Sequence, residues 1–515
     1  MSRFSVCPLI AFCALWVSAA AAEADSSPLP PSPPVKEKMN VLFIIVDDLR
    51  PDLACYGLDS VKSPNIDKLA SQGVLFRNAY CQQAVCAPSR ISVLSGLRPD
   101  STGVFDLDHP LRKVLPDVLS LPQYFRNNGY ETSSLGKVYH HLHDDDGQGW
   151  TSPAWRPEGA WKGRGYLASE LQAADAAGKS SKIGPAWECA DVADELYPDG
   201  QIELKAEAEL RRFKAEGKPF FLAVGFNKPH LPFCAPKRYW DLYDEAALSL
   251  PEQATWPAGM PPLAGTTWSE LRQYTGINKK GELTQETARK LIHGYHACVS
   301  YTDALIGKLL AELDRQGLRD NTVIVLFGDH GWKLGEYGAW TKHTNFELDT
   351  QAPLIFAAPG LAGKGQKSPA LAEFVDIYPT LAELSGLPVP AHCEGVSLVP
   401  VLQNPLLPWK QAAFSQYPRG KLMGYTLRCG QWRYTEWIDP ASQTVAAREL
   451  YDHQKGPVAS KNLAEEPDCA ETVKRLSALL QGGKGWKAVQ QNITARPRSD
   501  AENSQKTPVK HEDAR

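Results

Sequence analysis

The feature that most constrains the fold is a short run of apolar residues that recurs along the chain and ends each time in polar or turn-forming residues. Four such runs span residues 39–46, 220–225, 323–327 and 353–358. Continuous apolar runs of this length are typical of strands buried on both faces of a sheet. Stretches with helical spacing, such as residues 291–316, lie between them. The alternation predicts an α/β fold in which helices cover both faces of one sheet.

Three of these runs end in residues that bind metals or transfer protons. Asp47-Asp48 follow the first run, Lys228-Pro229-His230 come after the second, and Asp329-His330 after the third. In open α/β sheets, ligands bind outside the carboxyl ends of the strands, so we expect a functional site there. Carboxylates from two strands suit Ca²⁺ or Mg²⁺. Taken alone, Asp47-Asp48 are equally compatible with a turn or a helix cap.

The sequence changes in character after about Ala412. Residues 425–428, 432–437 and 449–451 alternate as short strands do, and residues 470–480 have helical spacing. We therefore predict a catalytic domain over residues 39–411 and a smaller α+β domain with an antiparallel sheet over residues 412–490. A polar, charged tail over residues 491–515 is predicted to be disordered.

The N-terminal residues have the pattern of a targeting segment. Residues 1–22 resemble a secretory signal peptide, with Arg3 before an apolar stretch and four alanines before Glu23. An uncleaved anchor helix is the alternative. Residues 23–38 form a Pro-rich linker. No later segment is apolar for long enough to span a membrane. We expect an exported protein without a stable membrane anchor, in a periplasmic, secreted or lysosome-like compartment.

Charge and cysteine content narrow the class of protein further. The chain has 55 Lys and Arg against 59 Asp and Glu, which leaves no electrostatic footprint for nucleic acid. Eleven cysteines in 515 residues are too few for a disulfide scaffold. Two of them lie in the predicted signal peptide. An exported chain permits disulfides among the eight that remain besides Cys86, but the sequence does not determine which of them pair.

The segment Cys86-Ala87-Pro88-Ser89-Arg90 opens a helical pattern that continues through Leu94. Proline is well placed in the first turn of a helix, and a helix N-terminus favours an anion. A cysteine at this position is expected to have a stabilised thiolate and hence to be reactive. The alternative is a buried cysteine that precedes an ordinary helix.

Together with Leu94-Ser95-Gly96, this segment resembles the signature of the type I sulfatases. In that family the cysteine is oxidised to formylglycine (3-oxoalanine) by a formylglycine-generating enzyme. The similarity runs from Asn40 to about Leu463 and is greatest to the iduronate-2-sulfatase branch, in segments 85–90, 98–100, 328–334, 341–346, 414–419 and 423–425. The resemblance implies a large mixed sheet sandwiched by helices, as in alkaline-phosphatase-like enzymes, with a smaller C-terminal antiparallel sheet.

The resemblance also implies roles for individual residues. One Ca²⁺ per chain would be held by Asp47, Asp48, the oxidised Cys86, Asp329 and His330. Sulfate and protons would be handled by Arg90, Lys137, His140, His230 and Lys342. Within this set, Arg90 would stabilise the hydrated aldehyde, Lys137 would hold formylglycine and sulfate, and His140 would be the base. Without the resemblance, a lysine and a histidine three residues apart are more typical of a solvated face.

Two further side chains are candidates for substrate contact. Lys228 precedes His230 and fits a sulfate-binding role by the same resemblance. Trp332 follows the third apolar run and is a candidate for stacking on a sugar, with core packing as the alternative.

The implied reaction is hydrolysis of a sulfate ester of a carbohydrate, best matched by a 2-O-sulfated uronic acid of a glycosaminoglycan-like polysaccharide. A hydroxyl of the hydrated residue 86 attacks sulfur, and the alcohol leaves with a proton from His230 or Lys342. His140 then deprotonates the second hydroxyl, the aldehyde reforms, and sulfate departs. Two alternatives stay open: a phosphatase or phosphodiesterase of the same fold, and a glycan-binding relative without catalysis.

Overall fold

The apolar runs of the sequence form the centre of a seven-stranded sheet. The computed structural model describes residues 38–158, 165–168 and 183–494. The predicted signal peptide, nearly all of the predicted linker and residues 495–515 therefore lie outside the described residues. The strands of the large sheet are β1 Asn40–Val46, β2 Val74–Tyr80, β3 Glu131–Gly136, β4 Phe220–Phe226, β5 Thr322–Gly328, β6 Leu354–Ala357 and β7 Gln366–Glu373.

The strand order is β7-β2-β6-β5-β1-β4-β3. Strand β6 runs antiparallel to both of its neighbours, and the other pairs are parallel, so the sheet is mixed. Val46 at the end of β1 pairs with Phe226 on one side and with Gly328 on the other. The carboxyl ends of β5, β1 and β4 therefore lie next to one another.

Helices cover both faces of this sheet, because alternate residues of β1 are apolar on both sides. The helices are α1 Pro64–Gln72, α2 Cys86–Ser95, α3 Leu121–Asn127, α4 Pro198–Glu216, α5 Gln285–Arg315 and α6 Ile377–Leu384. Leu42, Ile44 and Val46 pack with α1, α4 and α5, whereas Val41, Phe43 and Ile45 pack with α2, α3 and α6. The prediction of an α/β fold with a sheet sandwiched by helices is confirmed.

Short elements complete this part of the chain. The short strands are Ile183–Pro185, Trp187–Ala190, Phe233–Pro236, Tyr274–Thr275, Lys333–Leu334 and Trp340–Thr341. The short α-helices include Pro99–Thr102, Leu111–Val114, Lys237–Trp240, Ser269–Arg272, Glu347–Thr350 and Val399–Gln403.

A second, antiparallel sheet consists of β8 Ala413–Arg419, β9 Leu422–Cys429, β10 Trp432–Ile438 and β11 Val445–Asp452, which are neighbours in that order. The helices α7 Ala470–Leu480 and α8 Trp486–Thr494 come after it. Leu427, Tyr434, Leu450 and Leu476 form its core. Buried Glu347 ties this sheet to the catalytic part through ion pairs with Arg428 at 3.1 Å and Arg433 at 2.8 Å.

The C-terminal antiparallel sheet predicted from the sequence is thus confirmed, while the domain boundary between residues 411 and 412 stays a prediction. One detail of the predicted tail is wrong, because residues 491–494 belong to α8. Among the described residues, no helix combines the length and apolarity that a membrane span requires. The nine described cysteines are free thiols, so no disulfide occurs in this part of the chain.

Candidate active site

The adjoining ends of β5, β1 and β4 bring three aspartates together. The Asp47 N–H donates to the Phe226 carbonyl and the Asp329 N–H to the Val46 carbonyl, each at 3.1 Å, so both residues extend the ladder of the sheet. Asp48, with φ 60°, turns the chain out of the sheet. Its N–H donates to Asp329 Oδ1 at 3.0 Å. All three carboxylates are buried at this edge.

Cys86 is the first residue of α2 and points into the same cluster. Its Sγ atom lies 3.5 Å from Asp47 Oδ1, 3.5 Å from His330 Nε2 and 3.6 Å from Lys137 Nζ. Burial, reinforced by Asp47, raises the pKa of Cys86 to about 12. The expected thiolate is therefore wrong for unmodified Cys86, because desolvation outweighs the helix N-terminus and the neighbouring lysine.

Two buried cations neutralise the aspartates. Arg90 is fully buried, and it donates from Nε to Asp329 at 2.9 Å and from Nη2 to Asp47 at 3.0 Å. Its Nη1 atom donates to the carbonyls of Lys137 and Val138, the latter at 3.1 Å. The Lys137 ammonium is in direct contact with the Asp47 carboxylate. Burial opposes the charge on Lys137, but Asp47 outweighs it and raises the Lys137 pKa.

The cluster fits a hard divalent cation. Donor atoms of Asp47, Asp48, Cys86 and His330 lie within 4.8 Å of one another. Asp329 Oδ2 is 3.6 Å from His330 Nε2 and adds a third carboxylate. Three carboxylates at one point match the oxygen ligands that Ca²⁺ prefers. Burial raises the pKa of Asp48 well above its usual range, with Asp47 adding to the shift, and a bound cation would favour its ionised form.

A second charged group lies beside this cluster. Lys342 Nζ is 2.9 Å from Asp48 Oδ1 and 3.1 Å from Glu270 Oε2. His230 Nε2 is 3.0 Å from Glu270 Oε1 and 3.8 Å from Asp48 Oδ2. Burial opposes ionisation of Glu270, but Lys342 and His230 outweigh it and hold the Glu270 pKa well below its usual range. The structure thus joins both predicted proton donors through one carboxylate.

Sequence reasoning missed Glu270. It lies in the four-residue helix Ser269–Arg272, and neither an apolar run nor a recognisable spacing precedes it. His343 was missed as well. Its Nε2 atom is 3.5 Å from Glu270, and its Nδ1 atom lies 2.8 Å from the Tyr417 hydroxyl. Only the neighbouring Lys342 could have drawn attention to it.

His140 is buried in the loop that follows β3. It therefore does not lie on a solvated face, as its spacing from Lys137 alone would suggest. Its ring centroid is 4.6 Å from that of His141. Burial lowers the pKa of His140 to about 2, and the Lys137 charge contributes to the shift. His140 is therefore neutral at pH 7, which is the protonation state that a base needs, and it would accept a proton only from a strongly acidic group.

Two predicted substrate contacts are not formed as expected. Lys228 donates to the carbonyls of His230 at 2.8 Å and Pro232 at 2.5 Å, so its ammonium holds the loop rather than facing the cluster. Trp332 is 1% exposed and lies beneath Lys342, whose Nζ is 4.8 Å from the ring centroid. A stacked sugar cannot reach that ring, so Trp332 is a packing residue.

The site has three features that serve the hydrolysis of an anionic ester. They are buried carboxylates suited to a cation, fixed positive charges, and a polarisable side chain at residue 86. The fold and the site thus define a hydrolase of that class.

Comparison with known proteins narrows this class. Residues 39–387 match the model of the family described as Sulfatase, and residues 335–484 match that described as "N-sulphoglucosamine sulphohydrolase, C-terminal". Iduronate 2-sulfatase of Homo sapiens is 35% identical over 505 residues, which cover 83% of this chain and 91% of that one. A sulfatase of Formosa agariphila is 32% identical and covers 90% of each chain. The chain belongs to the sulfatase family, and it is an enzyme that hydrolyses sulfate esters.

Solved structures share the fold at low identity. A phosphonate monoester hydrolase of Agrobacterium radiobacter has a TM-score of 0.73 at 22% identity, covering 89% of this chain and 97% of that one. A protein described as "a 2-O GAG sulfatase" has a TM-score of 0.64 at 22% identity, covering 90% and 97%. These likenesses confirm the predicted fold.

Proposed function

We propose that this sulfatase uses a formylglycine made from Cys86 to remove sulfate from a 2-O-sulfated uronic acid in a glycosaminoglycan-like polysaccharide. The observation that carries the proposal is the position of the Cys86 side chain, within 3.6 Å of Lys137, Asp47 and His330 at once. An oxygen atom on residue 86 would accept a hydrogen bond from Lys137 and lie beside the carboxylate cluster. The relatedness to iduronate 2-sulfatase supports the substrate class.

Formylglycine, once hydrated, supplies a hydroxyl that is nucleophilic toward sulfur, and Ca²⁺ on the aspartate cluster supplies positive charge for the sulfate oxygens. The remaining work belongs to the chain's own side chains. Lys137 and Lys342 place positive charge near residue 86, while Arg90 fixes the aspartates. Neutral His140 accepts a proton, and His230 or Lys342 donates one to the departing alcohol.

Three further hypotheses go with this proposal. A formylglycine-generating enzyme would be the maturation partner, since the conversion of Cys86 is an oxidation that the sulfatase itself does not perform. The polymer would be met outside the cytosol after export through the predicted signal peptide. Residues 39–411 would form the catalytic domain and residues 412–490 the smaller one.

The test is a screen of matured enzyme against defined disaccharides that differ only in the position of the sulfate. We expect sulfate release from the 2-O-sulfated uronate and much slower release from 6-O- and N-sulfated isomers. A phosphate and a phosphonate monoester serve as counter-screens, since the fold is shared with a phosphonate monoester hydrolase. Preference for another sulfate position would disprove the substrate, and faster phosphonate turnover would disprove the reaction class.

Glu270→Gln is expected to reduce kcat on a small aryl sulfate about tenfold, because it removes the charge that orients Lys342 and His230, a charge-assisted contact of about 1.4 kcal/mol. Steady-state kinetics at saturating substrate measure the effect. Glu282→Gln is the matched control, since Glu282 is an exposed carboxylate twelve residues further on. Equal kcat in both variants would mean that Glu270 does not orient the site.

Removal of divalent cations with EDTA is expected to abolish sulfate release and to lower stability. If the concentration of the free ion is 100 times its Kd, removing the ion lowers the free energy of unfolding by about 2.7 kcal/mol. Paired activity assays and thermal melts, before and after re-addition of Ca²⁺ or Mg²⁺, check both effects. Full activity after exhaustive chelation would contradict a metal at Asp47, Asp48 and Asp329.

A further inference from the structure

A cavity of about 110 Å³ lies between the catalytic part and the C-terminal sheet. We call it the junction cavity. The side chains that matter for its chemistry are Gln82, Arg98, Asp100, Tyr425, Lys484 and Trp486. It is much larger than the space that one bound water needs. None of its lining residues belongs to the cluster around Cys86.

Two buried donors in the junction cavity have no acceptor within the described part of the chain. Gln82 is 1% exposed, and its Oε1 atom accepts from the Val375 N–H, but its Nε2 atom is unpartnered. Arg98 is 5% exposed and pairs with Glu373 through Nη1 at 2.8 Å, while its Nε atom is unpartnered. A buried donor without an acceptor destabilises the fold, because its lost hydration is not replaced. Both side chains line the cavity, so an acceptor bound there that reached these two atoms would satisfy donors that the described part of the chain leaves unpaired.

The charges at the mouth of the cavity favour an anion. Lys484 and Lys487 are exposed, and neither forms an ion pair with any residue of the described ranges. The acidic residue at the cavity, Asp100, is already engaged by Gln416 Nε2 at 2.7 Å and by the Tyr425 hydroxyl at 2.9 Å. The lining is therefore rich in donors and carries a positive charge that the protein does not neutralise.

The cavity also offers an aromatic wall. The Trp486 ring lies 4.8 Å from the Arg98 guanidinium and 5.5 Å from Lys487 Nζ. An indole beside cations and a phenol suits a ligand with both apolar C–H surface and anionic groups. Charged sugars have that combination.

The junction cavity is separate from the candidate active site. Successive side chains of a strand point to opposite faces. On β8, Tyr417 reaches His343 beside Glu270, whereas Gln416 reaches Asp100 in the cavity. Arg98 follows the far end of α2, and the ten residues of that helix span about 15 Å from Cys86.

We infer that the junction cavity is a second saccharide-binding site, which takes an anionic sugar unit of the polymer that the enzyme desulfates. The sulfate or carboxylate of that unit accepts from Arg98 and Gln82, its charge is matched by Lys484 and Lys487, and its ring lies against Trp486. The identity of the polymer rests on the proposed function, whereas the site itself rests on the cavity.

The probe is a size-defined heparin tetrasaccharide, tested on the full chain in a Cys86→Ala background so that no turnover occurs. Affinity electrophoresis compares the parent with Lys484→Gln/Lys487→Gln. We expect the apparent Kd to rise about tenfold, as for loss of a charge-assisted contact. The matched control, Lys421→Gln/Lys474→Gln, removes the same charge from lysines that are 82% and 80% exposed outside the cavity, and it should bind as the parent does.

A kinetic readout separates this inference from the proposed function. With residue 86 intact, the ratio of KM for the tetrasaccharide to KM for a small aryl sulfate should rise about tenfold in Lys484→Gln/Lys487→Gln. Turnover of the aryl sulfate alone would disprove the proposed substrate and leave the binding result standing. A fully desulfated tetrasaccharide identifies the anionic group that the junction cavity binds. If it binds as tightly as the sulfated one, the group is the carboxylate; if it binds more weakly, the group is the sulfate. Equal binding by both double variants would overturn the second site.

Discussion

Cys86→Ala is expected to lower the turnover of a small aryl sulfate by roughly 10⁵-fold, the scale on which enzymes respond to loss of their nucleophile. The alanine side chain keeps the start of α2 but has no thiol from which the aldehyde can be made. Sulfate release under saturating substrate measures the loss. The remaining rate would come from the surrounding cations alone.

Cys81→Ala is the matched control for this substitution. Cys81 is buried five residues earlier, and its Sγ atom is 3.9 Å from the Asp349 carbonyl. The same atoms are deleted from a buried position, so both variants should lose about 1 kcal/mol of stability. Only Cys86→Ala should lose activity. A comparable loss in Cys81→Ala would point to a packing effect and contradict a chemical role for residue 86.

Mass spectrometry then distinguishes formylglycine from a reactive thiol. With a pKa of about 12, only about one Cys86 side chain in 10⁵ is a thiolate at pH 7. An unmodified thiol is therefore a poor nucleophile here, whereas the modified residue needs no ionisation of sulfur. In active protein, the peptide with residue 86 should have lost one sulfur and two hydrogens and gained one oxygen. Full activity with an intact thiol would contradict the proposed mechanism.

The fold could be predicted because each step depended on local patterns. Continuous apolar runs identify strands that are buried on both faces, and polar residues mark where three of them end. The same rule located Asp47, Asp48 and Asp329, since parallel neighbours end at one edge. To predict that the ends of β5, β1 and β4 are aligned, it was enough to assume that these strands are neighbours in the sheet.

The remaining features depend on tertiary contacts that local patterns do not encode. Glu270 belongs to a short helix in a largely irregular segment, and only the approach of Lys342 and His230 gives it a role. Trp332 follows a strand as a sugar-binding residue might be placed, yet it is covered by the chain. The state of the Cys86 thiol could not be predicted either, because burial outweighed the effect of the helix N-terminus.

Arg90→Met is expected to lower the free energy of unfolding by about 3–5 kcal/mol, the cost of leaving buried charges without their partner. Methionine has a similar length and no charge, so Asp47 and Asp329 lose the guanidinium that contacts both. Urea unfolding at pH 7 in EDTA measures the change, since a bound cation would also neutralise these carboxylates. Arg77→Met, at an exposed position on β2, should stay within about 0.5 kcal/mol of the parent.

The pH dependence of this loss shows whether charge is its cause. Burial opposes ionisation of Asp47, but Lys137 and Arg90 outweigh it and hold the Asp47 pKa well below its usual range. Asp47 therefore contributes stability above its unfolded-state pKa, and that contribution is lost as the pH falls through the folded-state pKa. Without Arg90 the folded-state pKa rises, and a protonated Asp47 no longer needs a counter-charge. The difference between Arg90→Met and the parent should shrink as the pH is lowered from 7 to 4. A loss that is the same at both pH values would mean that Arg90 stabilises the fold by packing, and that the cluster is neutralised by other groups.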